Sequence, residues 1–325
     1  YSWYDNEAFG SVTILNNEST SIRNVRLYFY NSEFMGQESL CWQGSRIPRG
    51  GSQEVSLTAL FENNILSLSE QTHSRSQIIL RYEILGSNRE LIVPTDTIFH
   101  HRNAMSWTDD RRAAAFVSAR DPAVLWFSRF IASVVRDRMR FGIDPNMQYA
   151  MGLFESLKLF GLGYVVDPTS AYASFSETEE LIDYLQFSHQ TLMYRGGDCD
   201  DLSILFCSLL ESLGIETAFI TIPGHIYMAF ALNMNEEEAR NFFSDPDLLI
   251  YDNGKVWLPL EVTMVKDGFV KAWRVGAKGW HDHLQTGTAE LWPLSQAHAL
   301  YPPVSVPGAA SRFSLPDEAE TMSSF

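Results

Sequence analysis

From Phe9 to Phe99 apolar and polar residues alternate in short runs, as in SVTILNNEST, IRNVRLYFYN, SQEVSLTAL and QIILRYEILGSNRELIVP. Period-two alternation broken by Asn-Asn and Gly-Ser-Asn turns predicts an antiparallel β-sandwich of about seven strands over residues 1–100. Nothing in this stretch pairs a nucleophile with a base. The pattern then changes. HHRNAMSWTDDRRAAAFVSAR reads as a polar connector, placed at 101–120, and DPAVLWFSRFIASVVRDR as an amphipathic helix with Asp121 as cap and Pro122 at its first position. A second helix is expected from about Asn146 to Phe160, and a third from Ser176, with Glu179 three residues on. Beyond Gly214 the period returns to two in ETAFITI and HIYMAFAL. A short acidic helix, NEEEARNFF, follows, and then LLIYDNGKVWLPLEVT with a turn at Asp252-Asn253-Gly254. Helices first and strands after, without an internal repeat, predict an α+β domain over 121–312 with helices packed on an antiparallel sheet. Residues 270–304 read as its helical extension, and 313–325 as a tail or linker.

Between the two periodic regimes lies YRGGDCDDLSILFCSLLESLG, where a cysteine sits among three aspartates at the head of an apolar helix. Asp198 is a natural cap and Asp201, three residues later, completes a capping-box pattern. Leu202, Phe206, Leu209, Leu210 and Leu213 recur at helical spacing, and Gly214 ends the run. Cys199 is therefore expected in the first turn of a buried helix, where unpaired N–H groups and the positive end of the dipole favour negative charge on sulfur.

Composition narrows the chemistry without assigning it. At 325 residues the chain has the length of two ordinary domains, and 45% apolar with 20% charged residues is a globular composition. A net charge of −16, offset by no basic block, argues against nucleic acid or an anionic membrane surface as partner. No apolar run reaches the ~18 residues of a membrane-spanning helix, so membrane insertion is not expected. The chain opens on Tyr1 with neither initiator Met nor signal-peptide pattern and reads as a piece of something longer or processed. Three cysteines, Cys41, Cys199 and Cys207, leave no disulfide framework, and Cys199 and Cys207 are too far apart along one helix to bridge.

A thiol that attacks an amide needs a base to manage its proton, and imidazole titrates in the right range. His225 opens the second strand after the cysteine helix. Alternation puts His225, Tyr227, Ala229 and Ala231 on one face, and the small residues are expected to leave space beside the histidine. Glu261, an acid among apolar neighbours in KVWLPLEVT, is costly there unless paired, so it is the candidate to orient the imidazole.

GGDCDDLSILFCSLLESLGIETAFITIPGHIYMAF followed by VWLPLEVT resembles the transglutaminase-like superfamily, especially its bacterial cysteine-peptidase-like members. The likeness covers residues 120 to 275. It implies a papain-like catalytic domain preceded by an immunoglobulin-like sandwich, and a Cys199, His225, Glu261 triad acting on protein or peptide substrates by hydrolysis or transamidation. Many members carry Asp in a DPT-like stretch where this chain has LEVT, so the acid is where the match departs. The N–H of Cys199 would donate to the oxyanion, with Tyr164 or Gln190 as second donor. No cofactor is required. Similar bacterial proteases bind calcium through acids flanking the cysteine, which would assign Asp198 and Asp200 here, although Asp198 and Asp201 are most simply read as caps. The architecture is common outside the bacterial cytoplasm, which favours periplasm or cell surface.

Each of these residues also has an ordinary structural reading. Cys199 could be a small buried residue like Cys207, His225 a satisfied structural histidine and Glu261 an ion-paired acid, leaving a non-catalytic interaction module. The pair His100-His101 and the cluster His281-Asp282-His283 lack a third metal ligand at sensible spacing.

Overall fold

The structure is a computed structural model that describes residues 1–166, 182–306 and 315–324, so the helix expected at Ser176 and Glu179 lies outside the described residues. Its contacts divide it into two units, 1–102 and 103–325. The fold is mixed α/β, with antiparallel sheets and several helices.

In the first unit the alternating runs become β1 (Gly10–Leu15), β2 (Ile22–Asn31), β3 (Ser39–Ile47), β4 (Ser52–Leu57), β5 (Thr72–Ile84) and β6 (Ser87–Phe99). They form an antiparallel four-stranded sheet in the order β3-β2-β5-β6 and a two-stranded β1-β4 ribbon. Ile14, Val25, Leu27, Phe29, Ile47, Val55 and Leu57 are buried together in one core. The β5–β6 turn falls on Leu85 and Gly86, both at positive φ (51° and 77°), one residue earlier than Gly-Ser-Asn spacing suggests. A two-residue hairpin of this hand needs positive φ at both positions, and Gly86 takes the second without strain.

The second unit runs β7 (Ala104–Ser106), α1 (Pro122–Arg136), α2 (Pro145–Phe160), β8 (Gly163–Tyr164), β9 (Ile182–Tyr184), α3 (Ser188–Tyr194), β10 (Gly196–Gly197) and α4 (Cys199–Glu211). It continues with β11 (Thr217–Ile222), β12 (His225–Ala231), α5 (Glu236–Phe242), β13 (Ile250–Asp252), β14 (Lys255–Leu260), α6 (Phe269–Leu284), β15 (Glu290–Pro293), α7 (Leu294–Leu300) and α8 (Glu318–Ser324). Caps set the first two helices: the Asp121 carboxylate accepts from Ala123 N and Val124 N, and Asp144 from Met147 N. Five strands form one antiparallel sheet in the order β13-β14-β12-β11-β15.

The sheet has two packed faces. Ile226, Met228 and Phe230 belong to the main core with α4, whose residues from Cys199 to Leu210 are all buried. Tyr227, Ala229 and Ala231 lie on the other side with Trp257 and with Trp280 of α6. The alternation in β12 is therefore as expected, but the space beside its small residues is not open, because two indoles fill it. Gly276 allows this closeness, since a Cβ there would stand 3.0 Å from the Pro259 main chain.

Three segments differ from their expected character. The connector buries Ala113, Ala114, Phe116 and Val117 in the core of the second unit, because its alanines and Phe116 form a turn of 3-10 helix. The helical extension contains a strand: Glu290–Pro293 pairs antiparallel with β11 and becomes a sheet edge. Residues 318–324 are helical, and Thr321 is buried.

Candidate active site

Cys199 is brought to its place by a short parallel pairing. β8 lies beside β10 with Gly163 opposite Gly196 and Tyr164 opposite Gly197, and the chain then turns at Asp198 into α4. Gly197 must be glycine on packing grounds, because a Cβ would stand 2.5 Å from the Asp201 Cβ. The capping box forms as the sequence predicts, the Asp198 carboxylate facing Asp201 N and the Asp201 carboxylate facing Asp198 N, each at 3.4 Å. Ser203 Oγ donates to the Cys199 carbonyl at 2.6 Å and closes the first turn from inside the helix.

His225 starts β12, and Glu261 follows the last residue of the antiparallel neighbour β14, so both stand at the same end of the sheet. That end faces the N-terminus of α4. His225 Nε2 lies 2.6 Å from Glu261 Oε2, and Cys199 is close enough to be among the groups that raise the imidazole. Glu261 is held from its other oxygen: Oε1 accepts from Thr263 N at 3.1 Å and Thr263 Oγ1 at 2.6 Å. Sequence reasoning passed over Thr263, because Glu261, which caps the short 3-10 helix Val262–Met264, is not among the usual cap residues and so gave no local signal. The His225 ring stacks on Tyr227 at 5.6 Å and 20°, and the Tyr227 hydroxyl donates to the Gly276 carbonyl at 3.0 Å. One face and the Nε2 nitrogen of the imidazole are thus held.

The electrostatics follow from these contacts. Burial works against a charged His225, yet its bonds to Cys199 and Glu261 outweigh it and push the imidazole up to about 10. Burial likewise disfavours a charged Glu261, and the His225 bond, with help from Thr263, overcomes this and holds the carboxyl below its usual range. The side chains of His225 and Glu261 are 28% and 9% exposed, so the pair reaches solvent through the imidazole. Cys207 lies on the same helix but burial pushes its thiol far up, and burial also raises Cys41 in the other unit.

The remaining candidates separate cleanly. Gln190 is occupied: its Oε1 accepts from Asn103 Nδ2 at 2.7 Å and Phe187 N at 2.9 Å, while its Nε2 faces the Tyr184 hydroxyl. Tyr164 is 43% exposed, its backbone pairs with Gly197 two residues before Cys199, and its phenol is raised by burial first and then by the charges of Cys199, Asp198 and Glu261. Asp252 and Asn253 bond each other at the opposite end of the β13–β14 hairpin from Glu261. His283 Nδ1 pairs with Thr288 Oγ1, and neither His281 nor His100-His101 joins a group of three metal-binding side chains among the described residues.

Asp198, Asp200 and Asp201 do form such a group, all buried, with ligand atoms within 4.8 Å of one another. Asp200 Oδ1 accepts from Asp201 N at 2.6 Å and Asp201 Oδ1 from Gln186 N at 2.6 Å, whereas Asp200 Oδ2 is buried with no donor among the described residues. Asp198 and Asp200 face each other, a contact that becomes a hydrogen bond only when one of them is protonated. Burial first, then Asp198, raises Asp200 well above the carboxylate range, and burial with the Asp198 charge raises Asp201 to about 8. All-oxygen donors and an orphaned buried carboxylate oxygen fit a hard divalent cation such as calcium, which would balance this charge.

No protein-family model matches the chain, and no curated protein is similar to it. Among solved structures, a chain from Parabacteroides distasonis described as a "putative protease" is similar at a TM-score of 0.25 and 9% identity. The match covers 72% of this chain and spans 59% of that one.

Proposed function

We propose that this protein is a cysteine-dependent amide-processing enzyme of transglutaminase-like fold, acting on protein or peptide substrates through Cys199, His225 and Glu261. The observation that carries this reading is the hydrogen-bonded chain from Thr263 through Glu261 to His225, an imidazole that Cys199, in the first turn of a buried helix, helps to raise. A packing role alone would require neither the 2.6 Å His225–Glu261 bond nor a solvent-facing imidazole. Cys199 Sγ attacks the substrate carbonyl. The tetrahedral oxyanion is met by the Cys199 N–H and the neutral Tyr164 phenol, and collapse breaks the C–N bond as His225 gives its proton to the leaving amine. Water, or an acceptor amine, then gives a proton to His225 and attacks the thioester carbonyl, breaking the C–S bond and expelling the Cys199 thiolate. Glu261 keeps the imidazole oriented and balances its charge in both halves. Asp198, Asp200 and Asp201 would hold a calcium ion if one binds, and such an ion would neutralise the helix end without touching the reacting atoms. The first unit is read as an immunoglobulin-like module that recruits or orients, supported by its two antiparallel layers around one core.

A thiol-reactive epoxide or peptidyl probe tests the enzyme reading. Labelling confined to Cys199 in the intact protein and lost in His225→Ala supports it. Equal labelling of all three cysteines, or none, makes the chain a non-catalytic module.

A further inference from the structure

We infer, resting on the reading of Cys199 as nucleophile, that Arg195 and Lys266 form a carboxylate-binding subsite for the substrate. The preferred substrates are then polypeptides with an acidic side chain or a chain terminus within about four residues of the scissile amide. Lys158, Lys255, Lys271 and Lys278 are each paired with a carboxylate, whereas exposed Lys266 has no such partner among the described residues. The acids beside it are taken. Asp267 pairs with Lys271 at 2.6 Å, and Glu155, 3.9 Å from where a Gly268 Cβ would stand, pairs with Lys158 at 3.7 Å. The Lys266 ammonium lies instead against β8, 2.8 Å from the position a Cβ would take on Gly163.

Arg195 reaches the same stretch of chain. Its Nη1 stands 3.9 Å from the position of a Gly161 Cβ, and its carbonyl accepts from Gly163 N at 3.1 Å. The guanidinium lies over the Phe160 ring at 4.5 Å, which holds its plane and leaves the N–H fork at its edge for an acceptor. No carboxylate pairs with it among the described residues. Arg195 closes α3 at φ 54°, a left-handed conformation that glycine takes at lower cost. An arginine kept there, with glycines at 196 and 197, points to use of its side chain. Gly163 stands opposite Gly196, and the chain from Gly196 to Cys199 spans at most about 11 Å, so both cations lie within a short peptide's reach of the sulfur. The net charge of −16 does not cancel the attraction, because charges farther than about 8 Å are screened at physiological salt.

The test labels Cys199 of the full chain with epoxysuccinyl peptides that carry Glu, Gln or Lys at successive positions, and with a pair that end in a free carboxylate or a carboxamide. Each rate is divided by the iodoacetamide rate of the same protein. At one position or more, the carboxylate probe should label about fivefold faster than its neutral counterpart, and Lys more slowly than both. The gap should narrow with added salt. A preference confined to the terminal pair assigns the subsite to a chain end, and one within the peptide assigns it to an acidic side chain. In Lys266→Glu the preference should turn from Glu to Lys. Arg195→Gly, whose backbone suits φ 54°, should lower it to about twofold and decides the matter if Lys266→Glu misfolds by thermal midpoint. Equal rates for charged and neutral probes, or a preference unchanged in both variants, overturn the inference, while iodoacetamide labelling confined to Cys199 leaves the enzyme reading standing. Iodoacetamide that labels all three cysteines alike removes that reading and the subsite with it.

Discussion

His225 Nε2 and Glu261 Oε2 stand 2.6 Å apart although 36 residues separate them in sequence, because antiparallel strands β12 and β14 begin and end at the same edge of the sheet. The bond governs both partners. It opposes burial at the imidazole and at the carboxylate alike.

Replacing Glu261 with Gln keeps the shape and removes the charge. The His225 imidazole, followed by NMR, should then titrate well below its present value of about 10, since burial is no longer fully opposed. Turnover on a responsive peptide should fall by about a hundred- to ten-thousandfold. An unchanged titration would remove Glu261 as the orienting group.

The same pair sets a pH window for stability. A raised imidazole contributes fully below its unfolded value of about 6.5 and loses that contribution as pH rises through about 10. A depressed carboxyl contributes above its unfolded value of about 4.3 and loses that as pH falls. The gap in thermal midpoint between the parent and His225→Ala should therefore be widest between about pH 5 and 6.5 and close toward both extremes. A pH-independent gap would mean that the ring matters by packing alone.

The aspartate cluster has the opposite sign. An acid whose folded value is raised contributes at pH below its unfolded value of about 3.9 and loses that contribution as pH rises through the folded one, here about 8 for Asp201. Calcium should raise the thermal midpoint, and more at pH 8 than at pH 5. Asp200→Asn should raise the calcium-free midpoint at pH 8 and abolish the response to calcium. A response surviving in Asp200→Asn would place the ion elsewhere.

Thr263→Val removes the 2.6 Å hydroxyl bond to Glu261 while the Thr263 N–H remains. Losing one hydrogen bond to a charged group should cost about 1–3 kcal/mol, measured by urea denaturation. Probe labelling of Cys199 should slow several-fold through the freed Glu261.

A chain of residues 103–325 should fold alone and keep the Cys199 labelling rate, because the contacts of the second unit are largely internal. A soluble, folded fragment with an unreactive thiol would show that the first unit helps to build the site.

The helix starts at Asp121 and Asp198, the end of α4 before Gly214 and the two faces of β12 were all legible in the sequence. Each depends on cap chemistry, backbone conformation or side-chain period, which operate within a few residues. The capping box even put Cys199 in its turn of helix. What the chain by itself left open was whatever depends on neighbours distant in sequence. Trp280 fills the side of β12 that its small residues suggested was empty, and Glu290–Pro293 becomes a strand because β11 offers it a free edge. Gln190 turns to Asn103 and away from the thiol. Above all, periodicity could nominate His225 and Glu261 separately, but it took sheet pairing to set them at one edge, where hydrogen bonding outweighs the burial of both charges.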